Sequence, residues 1–494
     1  MGMRTIRVLI LLVLPLATAF AQSNDPRVVG QWSPVKQWPF VAIHASLLPN
    51  GNIVSWARKD GVTQLETWVG DPETATFTRV MNTYVQPFCA GHTLLPDGRL
   101  LVAGGHDKFD LYGAIQTTIF DYRTNTWSRS ANMNAGRWYP STCALANGDV
   151  LVASGEIRPN AGGEGSTGRN GLPQVWSKTT GTWRNLEDAR DDSIEWYPWL
   201  LLAPNGHVFM AGPRAASAWL DTSGNGRWIE GPDSSIPFRD YGSAVMYEPG
   251  KVLIAGGGNP PTSSAETIDL NAKNPQWHQA HSMNLRRRQM NATILADGKV
   301  LVTGGTIGRD FNNIDPRLGA YQAEMWDPAT NTWTLMAKAS ELRVYHSVAL
   351  LLPDGRVLNA GGGLPPWGPN PSNPNYEKGP FHANGQIYSP PYLFKGPRPT
   401  IASVPAKVRY GQTFSVSTPD AQAIGAVTWI HPGAVTHSFD QGQRFVSLSF
   451  TAAAGSLNVT APPDGKIAPP GPYMLFIINR ASGVPSVAKW VTIE

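Results

Sequence analysis

Cysteine is scarce in this chain: Cys89 and Cys143 are its two thiols in 494 residues. At most one disulfide is then available, although exported proteins usually tie their thiols into such bridges. Charge is scarce as well. Charged residues make up 15% of the chain and the net charge is +4, which gives no basis for a nucleic-acid or anionic-membrane partner. The one dense basic run, Arg286-Arg287-Arg288, reads as a solvated loop. Beyond residue 21 no apolar run is long enough to cross a bilayer, so no transmembrane segment is expected.

The long apolar run lies at the start, in "MGMRTIRVLILLVLPLATAFAQSND". Arg4 and Arg7 precede it, and Ala19-Phe20-Ala21 closes it with a small-x-small cleavage signal. Residues 1–21 therefore read as a secretory signal peptide, and the mature chain as secreted, extracellular or periplasmic. What the chain has in abundance is 50 glycines, 42 prolines and 18 tryptophans. That composition favours many turns and short strands over long helices.

A turn followed by an apolar strand recurs seven times: "LLPNGNIVSWA", "LLPDGRLLVAGG", "LANGDVLVASG", "LAPNGHVFMAG", "YEPGKVLIAGGG", "LADGKVLVTGG" and "LLPDGRVLNAGGG". Asn-Gly or Asp-Gly between apolar runs is a strong hairpin signal. Between most copies lies a second hairpin ending on tryptophan, as in "FDYRTNTWSR" and "MWDPATNTWTL". Units spaced by about 45 to 58 residues predict seven four-stranded blades. The seventh lacks its tryptophan strand, and "RVVGQWSPV" upstream of the first unit is placed to supply it. Past "SPPYLFKGPRPT" the repeat stops and short alternating strands run to Glu494. The fold expected is all-β: a seven-bladed kelch-type β-propeller over residues 22–396, then an immunoglobulin-like β-sandwich over 397–494.

The register of the inner strands narrows the chemistry. Nine residues before the turn glycines stand Ala42, Cys89, Tyr139, Tyr197, Tyr241, Gln289 and His346, with Tyr345 one further back. Equivalent positions of successive blades share one height, so Cys89, Tyr139 and His346 converge on one mouth. Cys143 lies four residues along its strand from Tyr139, a drop of roughly 13 Å at about 3.3 Å per residue. A disulfide to Cys89 needs Cα atoms within about 7 Å. Cys143 then reads as a small buried apolar residue. Tyrosines and a histidine around one point suit Cu(II), which takes nitrogen and oxygen donors. The same aromatics also serve to pack a propeller mouth, and spacing alone leaves both readings open. Adjacent Tyr345 and His346 reach one ion only where the strand is not yet regular.

At these residues the chain resembles the copper radical oxidases, the family of galactose oxidase and glyoxal oxidase. "PFCAGH", "GRWYPST", "LRVYHSVALLLPDGRVLNAGGG" and "GAVTHSFDQGQR" carry the resemblance, each in the matching repeat and order. It implies a thioether joining Cys89 to the ring of Tyr139, with the modified tyrosine holding a radical and binding copper. His346 and His437 would be the imidazole ligands; Tyr345 would be the axial ligand and the base that takes the substrate proton. O2 would reoxidise the site and leave as H2O2. By the same pattern His431 is set aside in favour of His437. His92 reads as structural, and His106 and His44 as turn and packing residues.

Departures shape the substrate expectation. Where galactose oxidase shields its modified tyrosine with a tryptophan, this chain has "SGEIRPN", with Glu156 and Ile157. "DDSIEWYPWLLL" lacks the arginine that holds the sugar, and "GRWYP" is more similar to glyoxal oxidase. A small aldehyde or primary alcohol is the expected substrate of a monomeric enzyme. Tyr197, Tyr241 and Arg288 are candidate pocket walls, with plain packing the competing role for the tyrosines. The alternative function is a non-catalytic propeller-sandwich protein that binds glycan or cell wall.

Overall fold

The repeat is set by its turns. Gly51, Gly98, Gly148, Gly206, Gly250, Gly298 and Gly355 all have φ between 80° and 91°, a left-handed backbone that glycine adopts without steric penalty. Gly98 N–H closes its turn onto Leu95 O at 2.8 Å, and Gly298 N–H onto Leu295 O at 3.0 Å. Each turn thereby fixes the register of the two apolar strands that flank it. In the strand Leu100–Ala103, Leu100 and Val102 pack with Val54 and Trp56 of the preceding sheet. Leu101 and Ala103 pack with Val150 and Val152 of the following one. Period-2 alternation with both faces apolar is what stacks sheet on sheet.

A computed structural model describes residues 23–59, 62–107, 111–158, 168–309, 313–363 and 381–494; the expected signal segment lies outside them. Among the described residues, seven antiparallel sheets follow one another along the chain, each opening on an inner strand. Those strands are His44–Leu47, Gly91–Leu94, Ser141–Ala144, Leu200–Leu202, Ser243–Glu248, Arg288–Ile294 and Ser347–Leu351. The last sheet is completed from the N-terminus as expected: Gln31 pairs with Ser389 and Trp32 with Tyr388. No helix among the described residues is long and apolar enough to cross a membrane.

Two further sheets, of five and three strands, enclose a core that includes Trp429, Val416, Tyr473 and Ile477. Between its strands Ile424–His431 and Arg444–Leu448 the chain leaves this sandwich as a hairpin, Ala434–Thr436 and Phe439–Asp440. The hairpin adds to the first sheet, with His44 opposite Thr436 and Ser46 opposite Ala434. Its flanks bond to other inner strands. Gln441 Oε1 accepts from Thr142 N–H at 2.7 Å, and Gln443 Oε1 from Ile294 N–H at 2.9 Å.

The basic run corrects the expectation of a solvated loop. Arg286 is exposed, but Arg287 and Arg288 are buried. Arg287 donates to Gly304 O and Gln322 O at 3.0 Å and pairs with Glu324 at 2.7 Å. Arg137, Arg239 and Arg343 make the same kind of bolt to carbonyls of their own sheets, such as Ser154 O at 2.8 Å and Gly256 O at 3.0 Å. Strand openings carry carbonyls with no ladder partner, and a buried guanidinium satisfies several at once.

Glu324 also accepts from the N–H groups of Asn284 and Leu285 and is fully buried. Arg287→Leu leaves that carboxylate unpaired and should destabilise the fold by about 3–5 kcal/mol in urea unfolding. A change below about 0.5 kcal/mol would contradict the bolt.

Candidate metal centre

Six of the seven register positions share one backbone state. Cys89, Tyr139, Tyr197, Tyr241, Gln289 and His346 have φ of 61°, 65°, 45°, 52°, 60° and 68°, while Ala42 is not left-handed. Such a backbone costs a non-glycine residue about 1–3 kcal/mol. Hydrogen bonds between neighbouring sheets offset part of that. Tyr139 N–H donates to Cys89 O at 2.8 Å, Tyr197 N–H to Tyr139 O at 2.9 Å, and Gln289 N–H to Tyr241 O at 2.8 Å.

The last sheet carries one inserted residue. Arg137, Arg239 and Arg287 each stand two positions before their register residue, whereas Arg343 stands three before His346. The carbonyls of Arg137, Arg287 and Arg343 accept alike from Gly105, Gly257 and Gly305 N–H, so these arginines are equivalent. The strand begins only at Ser347. Tyr345 and His346 both precede regular alternation, which lets neighbours face one point.

His437 arrives at the tip of the inserted hairpin. His437 and Ser438 have φ of 49° and 71°, the two positive values of a type I′ turn. Asp440 Oδ1 holds the hairpin by accepting from the N–H groups of Ala434, Gly442 and Gln443 at 2.8–2.9 Å.

The side chains then meet. The Tyr139 and Tyr345 hydroxyls are in direct contact. The His437 ring lies 4.6 Å from both the Tyr139 and His346 rings, and Tyr345 stacks on His346 at 3.7 Å. Cys89 Sγ is 4.0 Å from His437 Nε2, and Cys89, Tyr139 and Tyr197 share one buried cluster. Cys143 packs elsewhere, among Leu151, Leu200 and Val208, and neither cysteine is in a disulfide.

Both imidazoles have assigned tautomers. Thr436 Oγ1 donates to Ile43 O at 3.0 Å, so it accepts from His437 Nδ1–H at 2.6 Å. His346 Nδ1 faces Gly363 O at 3.2 Å, a carbonyl that can only accept. Each Nε2 keeps its lone pair, and His346 Nε2 is buried with no hydrogen-bond partner. Burial pushes both rings well below the ordinary imidazole range, so they are neutral. Burial, then the Cys89 thiol and the Tyr345 and Tyr241 phenols, pushes Tyr139 well above its ordinary 10.0. A bound cation reverses that preference and favours phenolate. Two neutral imidazole nitrogens and two phenol oxygens fit a tetragonal Cu(II) site. No three His, Cys, Asp or Glu side chains among the described residues cluster as a metal cage, so the tyrosines complete this donor set.

Sequence reasoning left the cover of Tyr139 open. Trp138 stacks on it at 3.7 Å with 5° between planes, and Trp196 stands edge-on to both rings. Glu156 accepts from Trp196 Nε1–H at 3.2 Å. The signal was present in "WYP", which occurs at 138–140 and again at 196–198.

A cavity of about 70 Å³ adjoins the cluster, lined by Tyr139, Trp196, Tyr197, Asp240, Tyr241 and His437. Tyr197 and Tyr241 thus stand in its wall. Arg288 stands one layer behind, paired with Asp240 and 5.6 Å from the Tyr241 ring. It opens its strand opposite Thr306 and pairs with the Asp240 carboxylate, which lines the cavity. His92 is structural, with Nδ1 at 2.9 Å from Ser46 Oγ, and His431 holds Gly442 O at 2.8 Å. His106 lies not at a turn but in isolated antiparallel bridges to Gln86 and Gly113, its backbone N–H on Gln86 O. His44 does more than pack: its Nε2 accepts from Cys89 N–H at 2.9 Å.

Scaffold and side chains together define a nearly all-β protein with a buried set of nitrogen and oxygen donors suited to a transition metal. The chain belongs to the galactose oxidase and glyoxal oxidase family of copper radical oxidases. Residues 67–392 match the family model "Glyoxal oxidase N-terminus" and residues 398–493 match "Galactose oxidase-like, Early set domain". The chain is 30% identical to a galactose oxidase of Gibberella zeae over 94% of its own length and 71% of that protein. It is 30% identical to an aldehyde oxidase GLOX of Vitis pseudoreticulata, covering 84% of this chain and 83% of the other. A fungal alcohol oxidase of the AA5 family, solved in complex with copper, superposes with a TM-score of 0.82. That alignment covers 94% of this chain and 99% of the other at 28% identity.

The buried histidines fix a pH dependence. Burial lowers His92 from 6.5 to about 3 and His431 from 6.5 to about 4. Below pH 6.5 the unfolded chain binds protons at these rings that the folded chain refuses, so stability falls with pH from about 6.5 toward about 3. Thermal midpoints should drop across that window, with a shallower slope in His92→Asn. An unchanged slope in that variant would contradict the assignment.

Proposed function

We propose that this protein is a secreted copper radical oxidase that oxidises a small aldehyde or primary alcohol with O2 and releases H2O2. The observation that carries the reading is the convergence of Cys89, Tyr139, Tyr345, His346 and His437 from four separate parts of the chain on one buried point. A glycan-binding scaffold has no use for all five. In this reading the seven sheets are the blades of a closed kelch-type propeller spanning residues 22–396, with the sandwich at 397–494. The N-terminal strand in the last sheet and the closeness of Ser347–Leu351 to His44–Leu47 support closure. Residues 1–21 direct secretion, and the enzyme acts as a monomer.

His346 and His437 would hold copper through Nε2, with Tyr139 and Tyr345 as oxygen donors. Copper bound there supplies one-electron redox chemistry and acidifies a substrate hydroxyl. The chain's residues do the rest. Tyr345 takes the hydroxyl proton onto its phenolic oxygen. Tyr139, carrying the sulfur of Cys89, stores the second oxidising equivalent as a radical, since two electrons leave the substrate. Trp138 spreads over the face of that ring and keeps water from it. The 70 Å³ cavity admits a small head group, and the departures at Glu156 and in residues 191–202 argue against galactose.

Aerobic Cu(II) loading should lower the intact mass by two hydrogens and leave Cys89 closed to alkylation. A peroxidase-coupled screen over aldehydes, glycerol, aliphatic and aryl alcohols, and galactose should then find turnover on the small substrates. An alkylatable Cys89 after loading would remove the oxidase reading. Tyr345→Phe should lower kcat by about 10²–10⁴-fold, as expected for a lost general base, with the cross-link still formed. Trp138→Ala should shorten the lifetime of the oxidised form measured by its radical absorption, and an unchanged lifetime would exclude Trp138 as the cover.

A further inference from the structure

At one register position a side chain accepts the backbone N–H. Tyr139, Tyr197 and Gln289 each donate their N–H to the carbonyl of the preceding register residue. For Cys89 the preceding register residue is Ala42, which is not left-handed. The Cys89 N–H donates instead to His44 Nε2 at 2.9 Å. An imidazole therefore takes the role that a backbone carbonyl plays for Tyr139, Tyr197 and Gln289.

The His44 ring is itself held. It is fully buried and stacks on Trp56 with centroids 4.9 Å apart and planes 10° apart, and Trp56 Nε1–H donates to Pro87 O at 2.7 Å. Pro87 is two residues from Cys89, so both ends of the contact tie to the same segment. On its other side His44 pairs in the sheet with Thr436, the residue that orients His437. One residue thus sets the thiol against the hairpin that delivers the imidazole.

We propose that His44 is a positioning residue for formation of the Cys89–Tyr139 thioether, an inference that rests on the oxidase reading above. Its Nε2 lone pair holds Cys89 left-handed, which aims Sγ at the Tyr139 ring. In the reaction Cys89 loses its S–H hydrogen, Tyr139 loses a ring C–H hydrogen, and a C–S bond forms. The two electrons and two protons released pass to O2, giving one H2O2. His44 meets Cys89 at its backbone N–H, so its substitution slows bond formation and spares metal uptake.

The test compares wild type, His44→Leu and His44→Gln, each purified without copper and checked for folding by near-UV circular dichroism. Each is loaded aerobically with one equivalent of Cu(II). Metal uptake is followed by EPR, and cross-linking by loss of two hydrogens and of Cys89 alkylation. His44→Leu should bind copper and cross-link about 10–100-fold more slowly. His44→Gln, whose Oε1 can accept the same N–H, should stay within about threefold of wild type. Cross-linking of His44→Leu at the wild-type rate would overturn the proposal. So would a folded, copper-bound His44→Gln that fails to cross-link, which also keeps the test decisive if the leucine variant does not fold. Copper-bound wild type that never cross-links would defeat the oxidase reading itself, a separate outcome.

Discussion

Three backbone pairings join Ala434–Thr436 to His44–Leu47, and the site depends on them. Through them a hairpin from the C-terminal sandwich becomes part of the first propeller-type sheet. His437 stands at its type I′ tip, so its position is set by sheet register rather than by a free loop. The same strand holds Cys89 through His44 and carries Ser46, which binds His92. If the hairpin were withdrawn, the thiol and the imidazole would lose their common support. Glutamine side chains that clamp the hairpin to the third and sixth sheets give it a second, independent anchorage.

Around that anchor the chain concentrates strain and desolvation at one level. Six non-glycine residues hold left-handed backbones there, and four of them are tyrosine or histidine. Burial raises the phenol of Tyr139 and lowers the imidazoles, so the cluster is neutral without a cation. A buried site of neutral donors with an unpartnered nitrogen is unfavourable alone, and a metal relieves it. The buried arginines do related work further out: each satisfies carbonyls at a strand opening, which frees the register residues from ladder duty.

Much of this was legible in the sequence because glycine turns repeat. The Asn-Gly and Asp-Gly turns gave the strand register, and stepping back nine residues reached the very positions that proved left-handed. The last-sheet completion by Gln31–Trp32 followed from a missing tryptophan strand. What stayed hidden was side-chain direction. Nothing in local spacing said that Arg287 and Arg288 turn inward, since a basic run looks alike whether solvated or bolting carbonyls. Trp138 was quoted within "GRWYPST", yet stacking on the next residue's ring needs the left-handed bend at Tyr139. His44 read as packing because its acceptor role appears only when Ala42 breaks the pattern. The one-residue insertion before His346 is visible as a shifted arginine once the structure aligns Arg343 with Arg137.

The central claim is that five side chains from distant segments close around one copper ion, with sulfur bonded to phenol. Anomalous diffraction at the copper edge from aerobically loaded crystals tests it most directly. The account predicts a single strong peak within bonding distance of His346 Nε2, His437 Nε2 and the Tyr139 oxygen, with continuous density from Cys89 Sγ to the Tyr139 ring. A peak at another place, or a separate thiol beside an ordered copper, would contradict it.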